Sequence, residues 1–141
     1  MGKIAVIYWS GTGNTQAMAE AVAKGAGSES ILLPVSEISA NEAANYEKLA
    51  LGCPAMGVEV LEEAEFEPFF SELEGSIQGK KIALFGSYGW GDGEWMRNWQ
   101  ERVIAAGGIL CGEEGLILNE MPDADGLEAC AALGSKLAAM E

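Results

Sequence analysis

Two kinds of apolar pattern alternate along the chain. Lys3–Trp9 (KIAVIYW) is a continuous β-branched and aromatic run, the pattern of a strand buried on both faces. After a Gly-rich turn, Met18, Ala21, Val22 and Gly25 share one helical face. Ser30–Val35 predicts a second strand, Asn41–Glu47 a short helix and Lys48–Cys53 a third strand. In Ala64–Leu73 the residues Phe66, Phe69, Phe70 and Leu73 fall at i, i+3, i+4 and i+7, an amphipathic helix with its acidic residues outside. Lys81–Gly86 (KIALFG) predicts a fourth buried strand, and Glu94–Ala106 a helix stopped by Gly107-Gly108. Ile109–Leu118 contains a last strand. Pro122-Asp123 then opens a terminal helix with Leu127, Cys130, Ala131, Gly134 and Ala138 inward.

Strict alternation of strand and helix implies an α/β three-layer sandwich, a parallel sheet covered by helices on both faces. Right-handed crossovers leave few topologies, and 2-1-3-4-5 is the natural order for five strands. Residues 1–141 read as one domain. In such sheets ligands bind at the carboxyl ends of the strands, near the switch between the first and third. The loops after strands one, three and four should therefore carry function.

Composition narrows the classes. Eight basic residues against 22 acidic ones give a net charge of −14. Nucleic acid and anionic membranes repel such a surface, whereas a partner with a basic docking face attracts it. The charge also serves solubility alone. Histidine is absent, which removes the commonest neutral-pH acid/base group and metal ligand. Cys53, Cys111 and Cys130 form no CxxC pair, so they read as buried thiols of a reducing compartment, with no metal. No secretory leader, long apolar run or myristoylation signal stands out, and the chain reads as soluble, cytoplasmic and monomeric.

Loop one is Ser10-Gly11-Thr12-Gly13-Asn14-Thr15, between strand and helix. Its glycines let backbone N–H groups turn inward, its hydroxyls and amide add donors, and the helix start adds partial positive charge. This is a phosphate nest with no cation. A P-loop would need Gly-Lys-Ser/Thr, and a dinucleotide fingerprint would need glycine where Gln16 stands. A plain hydroxyl-capped turn is the simpler alternative. Loop two, Cys53-Pro54-Ala55-Met56-Gly57-Val58-Glu59, offers the Met56 sulfur to a flat ring, or is only a connection. Loop three is Ser87-Tyr88-Gly89-Trp90-Gly91-Asp92-Gly93. A tryptophan among three glycines suits stacking on a planar ligand, or a protein-binding hot spot.

The segments Tyr8–Thr15, Gly52–Gly57 and Leu84–Met96 resemble the three FMN loops of short-chain flavodoxins from clostridia and related anaerobes, in order and spacing over nearly the whole chain. The resemblance implies a flavodoxin-like fold and non-covalently bound FMN. Ser10, Gly11, Thr12, Gly13, Asn14 and Thr15 would hold its phosphate, with Ser87 adding a hydroxyl nearby. Met56 would lie against the inner face of the ring and Trp90 would cover the outer face, with Pro54, Ala55, Gly57 and Val58 as further cofactor-binding residues of loop two. Glu59 would accept from the ring N3–H, backbone groups of Gly89 and Gly91 would meet its pyrimidine edge, and Tyr88 and Asp92 would be further cofactor-binding residues of loop three. The Gly57 carbonyl would accept from N5–H of the reduced ring. The last strand is expected uninterrupted, as in the short-chain class. The function implied is low-potential one-electron carriage in place of ferredoxin, between ferredoxin- or flavodoxin-dependent oxidoreductases, with no catalysis of its own. A flavin reductase of the same fold would need a nicotinamide or substrate pocket. A signalling receiver would need acidic residues where Ser10 and Cys53 stand.

Two levers on the potentials follow. Glu59, Glu62, Glu63 and Asp92 lie in or beside the loops with no lysine or arginine among them. One carboxylate ~10 Å from an anionic ring costs roughly 0.4–1.7 kcal/mol, about 20–70 mV. The second lever is the N5–H bond, which forms only in the reduced ring. Here Val58 stands where relatives carry Asp, Asn, Gly or Ser. In a Met56–Glu59 turn, positive φ is easy at Gly57 and resisted at a β-branched residue. Val58 is therefore expected to alter the first couple.

Overall fold

The structure is a computed structural model and describes residues 4–57 and 59–140. The expected start of the first strand at Lys3, and everything expected of Val58, lie outside the described residues. Strands β1 (Ile4–Tyr8), β2 (Ser30–Pro34), β3 (Lys48–Gly52), β4 (Lys81–Tyr88), β5 (Ile109–Leu110) and β6 (Leu116–Asn119) form one parallel sheet. Helices α1 (Asn14–Ala26), α2 (Ala40–Ala43), α3 (Phe66–Leu73), α4 (Glu94–Ala105) and α5 (Ala124–Ala139) cover it. The order is 2-1-3-4-5, as expected, with β6 also on β4.

The apolar runs are buried on both faces because alternate strand residues serve opposite layers. Ile4, Val6, Ala50, Ala83 and Phe85 pack with Met18, Val22, Cys130 and Leu137 of α1 and α5. Ala5, Ile7, Leu49, Leu51, Ile82 and Leu84 pack with α2, α3 and α4. There Trp99 meets Phe66 and Phe70 edge-on, with ring centroids 5.5 and 6.0 Å apart. Helices α1 and α5 nearly touch: a Cβ on Gly25 would stand 1.9 Å from the Ala131 carbonyl oxygen, and one on Gly134 2.0 Å from that of Val22. Helix-period glycine serves here as a contact surface.

Several boundaries differ from expectation. The second strand stops at Pro34 and the third at Gly52, while β4 runs on to Tyr88. A capping box between Ser39 and Glu42 starts α2 early. The helix ends at Ala43, where the Asn45 and Tyr46 N–H groups turn back to the Glu42 and Ala43 carbonyls and the Lys80 ammonium takes the carbonyls of Ala44 and Tyr46. The terminal helix presents Gly126, Cys130, Gly134 and Leu137 inward, whereas Leu127 is 37% exposed. Asp123 sets that phase by accepting the Gly126 N–H at 2.8 Å. The last strand is not uninterrupted. Its partner offset along β4 changes from 28 (Lys81 with Ile109) to 31 (Phe85 with Leu116), so residues 111–115 bulge. Gln100 accepts the Gly115 N–H within that bulge.

Candidate functional site

The three loops meet at the carboxyl ends of β1, β3 and β4. Gly13 adopts φ +97°, a left-handed conformation that turns the chain into α1, and its N–H donates to Ser10 Oγ at 3.1 Å. The first turn of α1 holds no acidic residue and no side-chain cap. Among the described residues, no hydrogen bond engages the N–H groups of Asn14, Thr15 and Gln16. Thr15 is 1% exposed, and its hydroxyl has no partner. A buried orphan hydroxyl at an uncapped helix start is costly alone and is satisfied by an anion such as a phosphate. The donor set therefore fits a phosphorylated cofactor.

A cavity of about 290 Å³ joins Ser10–Thr12, Asn14 and Thr15 to Pro54–Met56, Ser87–Gly89 and Glu120, under Trp9. Gly57, Glu59, Trp90, Gly91 and Asp92 do not line it. They stand on loops two and three outside it, and Trp90 is 63% exposed. Loops two and three are stitched together where the Ala55 N–H donates to the Ser87 carbonyl at 3.0 Å. Loop one is tied outward, because Trp9 Nε1 donates to Glu65 Oε1 at 2.9 Å.

Loop two closes differently from the expected Met56–Glu59 turn. Met56 and Val60 exchange both backbone hydrogen bonds at 2.9 Å. Gly57 takes φ +51°, as expected, but Glu59 also takes φ +58°, where non-glycine residues are uncommon. The Glu59 carboxylate accepts the N–H groups of Gly93 and Glu94 at 3.1 and 2.9 Å and that of Asp92 at 3.4 Å, capping α4. Glu62 is buried and caps α3. Its Oε1 accepts the N–H groups of Glu65 and Phe66, and its Oε2 that of Ala64.

These contacts correct the picture of a ring of carboxylates without cations. Asp92 pairs with Arg97, Nη2 to Oδ1 at 3.1 Å, although both are exposed and the pair is weak. Glu59 and Glu62 are each neutralised in part by a helix start, and Glu63 is exposed. The expected Ser87 hydroxyl is at the cavity but donates to the Glu120 carbonyl at 2.9 Å. Glu120, at φ +57°, lines the cavity and was not foreseen, and Asn119 beside it donates from Nδ2 to the Tyr88 carbonyl. Their signal was weak, since an Asn-Glu corner after a strand carries no distinctive chemistry. Cys53, wholly buried beneath loop two, has its thiol pushed up by burial and is inert.

Fold and cleft together define a doubly wound α/β protein that presents an anion nest beside an aromatic, glycine-rich edge. The flavodoxin family model matches residues 6–134. The flavodoxin of Clostridium beijerinckii is 48% identical over 94% of this chain and 97% of its own. That of Megasphaera elsdenii is 46% identical over 85% and 88%. A solution structure of two-electron reduced Megasphaera elsdenii flavodoxin superposes with a TM-score of 0.86 at 42% identity, covering 97% of this chain and 99% of that one. The chain belongs to the flavodoxin family, flavoproteins of electron transport that act with redox partners.

Proposed function

We propose that this chain, as one domain and one monomer, is a low-potential one-electron carrier that holds FMN non-covalently. It works in the cytoplasm in place of ferredoxin, between oxidoreductases with basic docking faces. The observation that carries the reading is the buried, partnerless Thr15 hydroxyl at the uncapped start of α1, on the same cavity as loops two and three.

Ser10, Thr12, Asn14 and Thr15, with the N–H groups of the α1 start, would hold the phosphate without a cation. Gly11 and Gly13 let that backbone curl. Pro54, Ala55 and Met56 would line the inner face of the ring, and Trp90 would cover the outer face and keep water off it. Tyr88, Gly89, Gly91 and Asp92 would border the polar edge, with Ser87 and Glu120 behind. Bound FMN supplies the ability to take one electron at a time. Glu59 would accept a hydrogen bond from the ring N3–H, and the Gly57 carbonyl would accept one from N5–H when the ring is reduced. The carboxylates of Glu59, Glu62, Glu63 and Glu120 oppose added negative charge, which lowers the second potential. The helix starts that Glu59 and Glu62 cap temper that effect without reversing it.

The surface charge of −14 supports the basic docking face of the partner. A reductive titration of the FMN-loaded protein, followed by visible absorbance, tests the reading. Two resolved one-electron steps, the second well below the first, are expected. A chain that fails to bind FMN, or takes both electrons together, overturns it.

A further inference from the structure

Loop two carries groups for the polar edge of the ring, and its tip is strained. Both Gly57 (φ +51°) and Glu59 (φ +58°) are left-handed. Such a conformation in a glutamate persists only where the surroundings over-determine it. The Met56–Val60 backbone pair closes the tip, the Glu59 carboxylate holds it to the start of α4, and a third restraint is at the base of the loop. There the Glu62 N–H donates to Cys53 Sγ at 3.3 Å, stapling the two ends of the segment 53–62 together. Cys53 is fixed in turn, its N–H on the Phe85 carbonyl and its own carbonyl receiving Trp95 Nε1 at 3.1 Å. The Glu62 side chain then runs the other way and accepts three N–H groups at the start of α3, at 2.8 to 2.9 Å. Its main chain thus belongs to loop two and its carboxylate to a helix packed in the core.

We propose that Glu62, which does not line the cleft, is a positioning residue that sets the first-electron potential by holding the base of loop two. The inference rests on the FMN reading above. Release of the Glu62 carboxylate lets the base slide, and the tip relaxes toward ordinary backbone. The Gly57 carbonyl and the Glu59 carboxylate then meet the ring edge in a different geometry. A charge acting through space would behave otherwise, because it depends on the sign of residue 62 and not on its reach.

Three substitutions in the FMN-loaded full chain separate these cases: Glu62→Asp keeps the charge and withdraws the oxygens from α3, Glu62→Gln removes the charge and keeps an acceptor oxygen for two of the N–H groups, and Glu62→Ala removes both. Arg102→Ala serves as a control, since it loosens α3 against α4 away from the loops. Both one-electron potentials and the urea midpoint of each protein are measured. Glu62→Asp and Glu62→Ala are expected to change the first-couple equilibrium at least about fivefold, or about 41 mV at ~59 mV per decade. Glu62→Gln and Arg102→Ala are expected to change it less than about twofold. Should Glu62→Ala not fold, the Asp and Gln pair decides alone. A shift in Gln without one in Asp indicates a charge effect and overturns the proposal. So does lowered stability with an unmoved first couple in Glu62→Asp, or an equal shift in Arg102→Ala. Failure of the parent chain to bind FMN or to resolve two steps would instead overturn the reading of function.

Discussion

Loop one and loop two sit at the ends of neighbouring strands and spend their polar groups in opposite ways. Loop one leaves the Thr15 hydroxyl and three N–H groups at the α1 start without a partner, and holds its shape through Gly13 and one Ser10 bond. Loop two leaves little over. Met56 bonds Val60, Glu59 caps α4, and Glu62 caps α3. A segment with open donors is made to take a ligand, and one that satisfies itself is made to hold a shape. Affinity should therefore reside mainly in the first loop and the potentials mainly in the second.

The sharpest way to break that division is Thr15→Val. Loss of a hydrogen bond to a charged group, ~1.5–3 kcal/mol, should weaken FMN binding about tenfold to a hundredfold. The cofactor-free chain should gain roughly 1 kcal/mol or more, because a buried orphan hydroxyl disappears. Fluorescence titration and urea unfolding measure the two effects. Riboflavin, which lacks the phosphate, should bind parent and variant alike. A loss of stability together with unchanged affinity would make Thr15 a core residue only.

Next in size is a change far from both loops. Arg102 bridges Glu67 and Glu74 across α3 and α4 and lies 4.8 Å from the Phe70 ring centre. Arg102→Ala should lower stability by about 1–3 kcal/mol and leave FMN affinity alone. The side-chain hydrogen bond from Arg102, ahead of the Ser71 hydroxyl, holds the Glu67 carboxyl below its ordinary 4.5. A depressed carboxyl contributes stability above its unfolded value and loses it as pH falls through the folded one. The parent should therefore lose this contribution on acidification below about pH 4.5, while Arg102→Ala should show a flatter acid limb in its thermal midpoint. The alkaline side has the reverse sign. Burial pushes Cys130 up to about 11, so its contribution is present below the ordinary 9 and fades as pH rises toward 11.

Trp90→Ala is the third test. Stacking of an exposed indole on a flavin is worth roughly 0.5–1.5 kcal/mol, so FMN should bind about twofold to twelvefold more weakly. Trp90 is 63% exposed, so the urea midpoint of the cofactor-free protein should not move.

Much of this was legible because each strand is a continuous apolar run and each candidate loop is chemically odd. The Phe66-Phe69-Phe70-Leu73 stripe is buried throughout, and Trp90 stands out in solvent. Misread features depended on long-range geometry. The interruption after Leu110 is marked only by Gly112 and Gly115 around two glutamates, and the bulge is held by Gln100 from another helix, which no local pattern shows. Leu127, expected inward, faces out, because the buried stripe of α5 starts at Gly126 beside the Asp123 cap and not at Leu127. Glu59 and Glu62 were legible as charges but not as caps. Which helix start a carboxylate reaches is decided only when the chain folds.

The finest test concerns residue 58. Gly57 and Glu59 on either side of it are left-handed, and a Cβ on Gly57 would meet nothing within 4 Å. Gly57→Ala therefore probes backbone strain without steric conflict. Val58→Gly goes the other way and would free the peptide proposed to offer the Gly57 carbonyl to the reduced ring. A net hydrogen bond of ~0.5–1.5 kcal/mol corresponds to about 20–65 mV for one electron. Val58→Gly should raise the first potential within that range, and Gly57→Ala should lower it. Riboflavin-loaded protein should show the same shifts, because no phosphate contact takes part. If Val58→Gly leaves the first potential where it was, the turn does not tune the ring. If it instead weakens FMN binding as much as Thr15→Val does, affinity and potential are not divided between the loops.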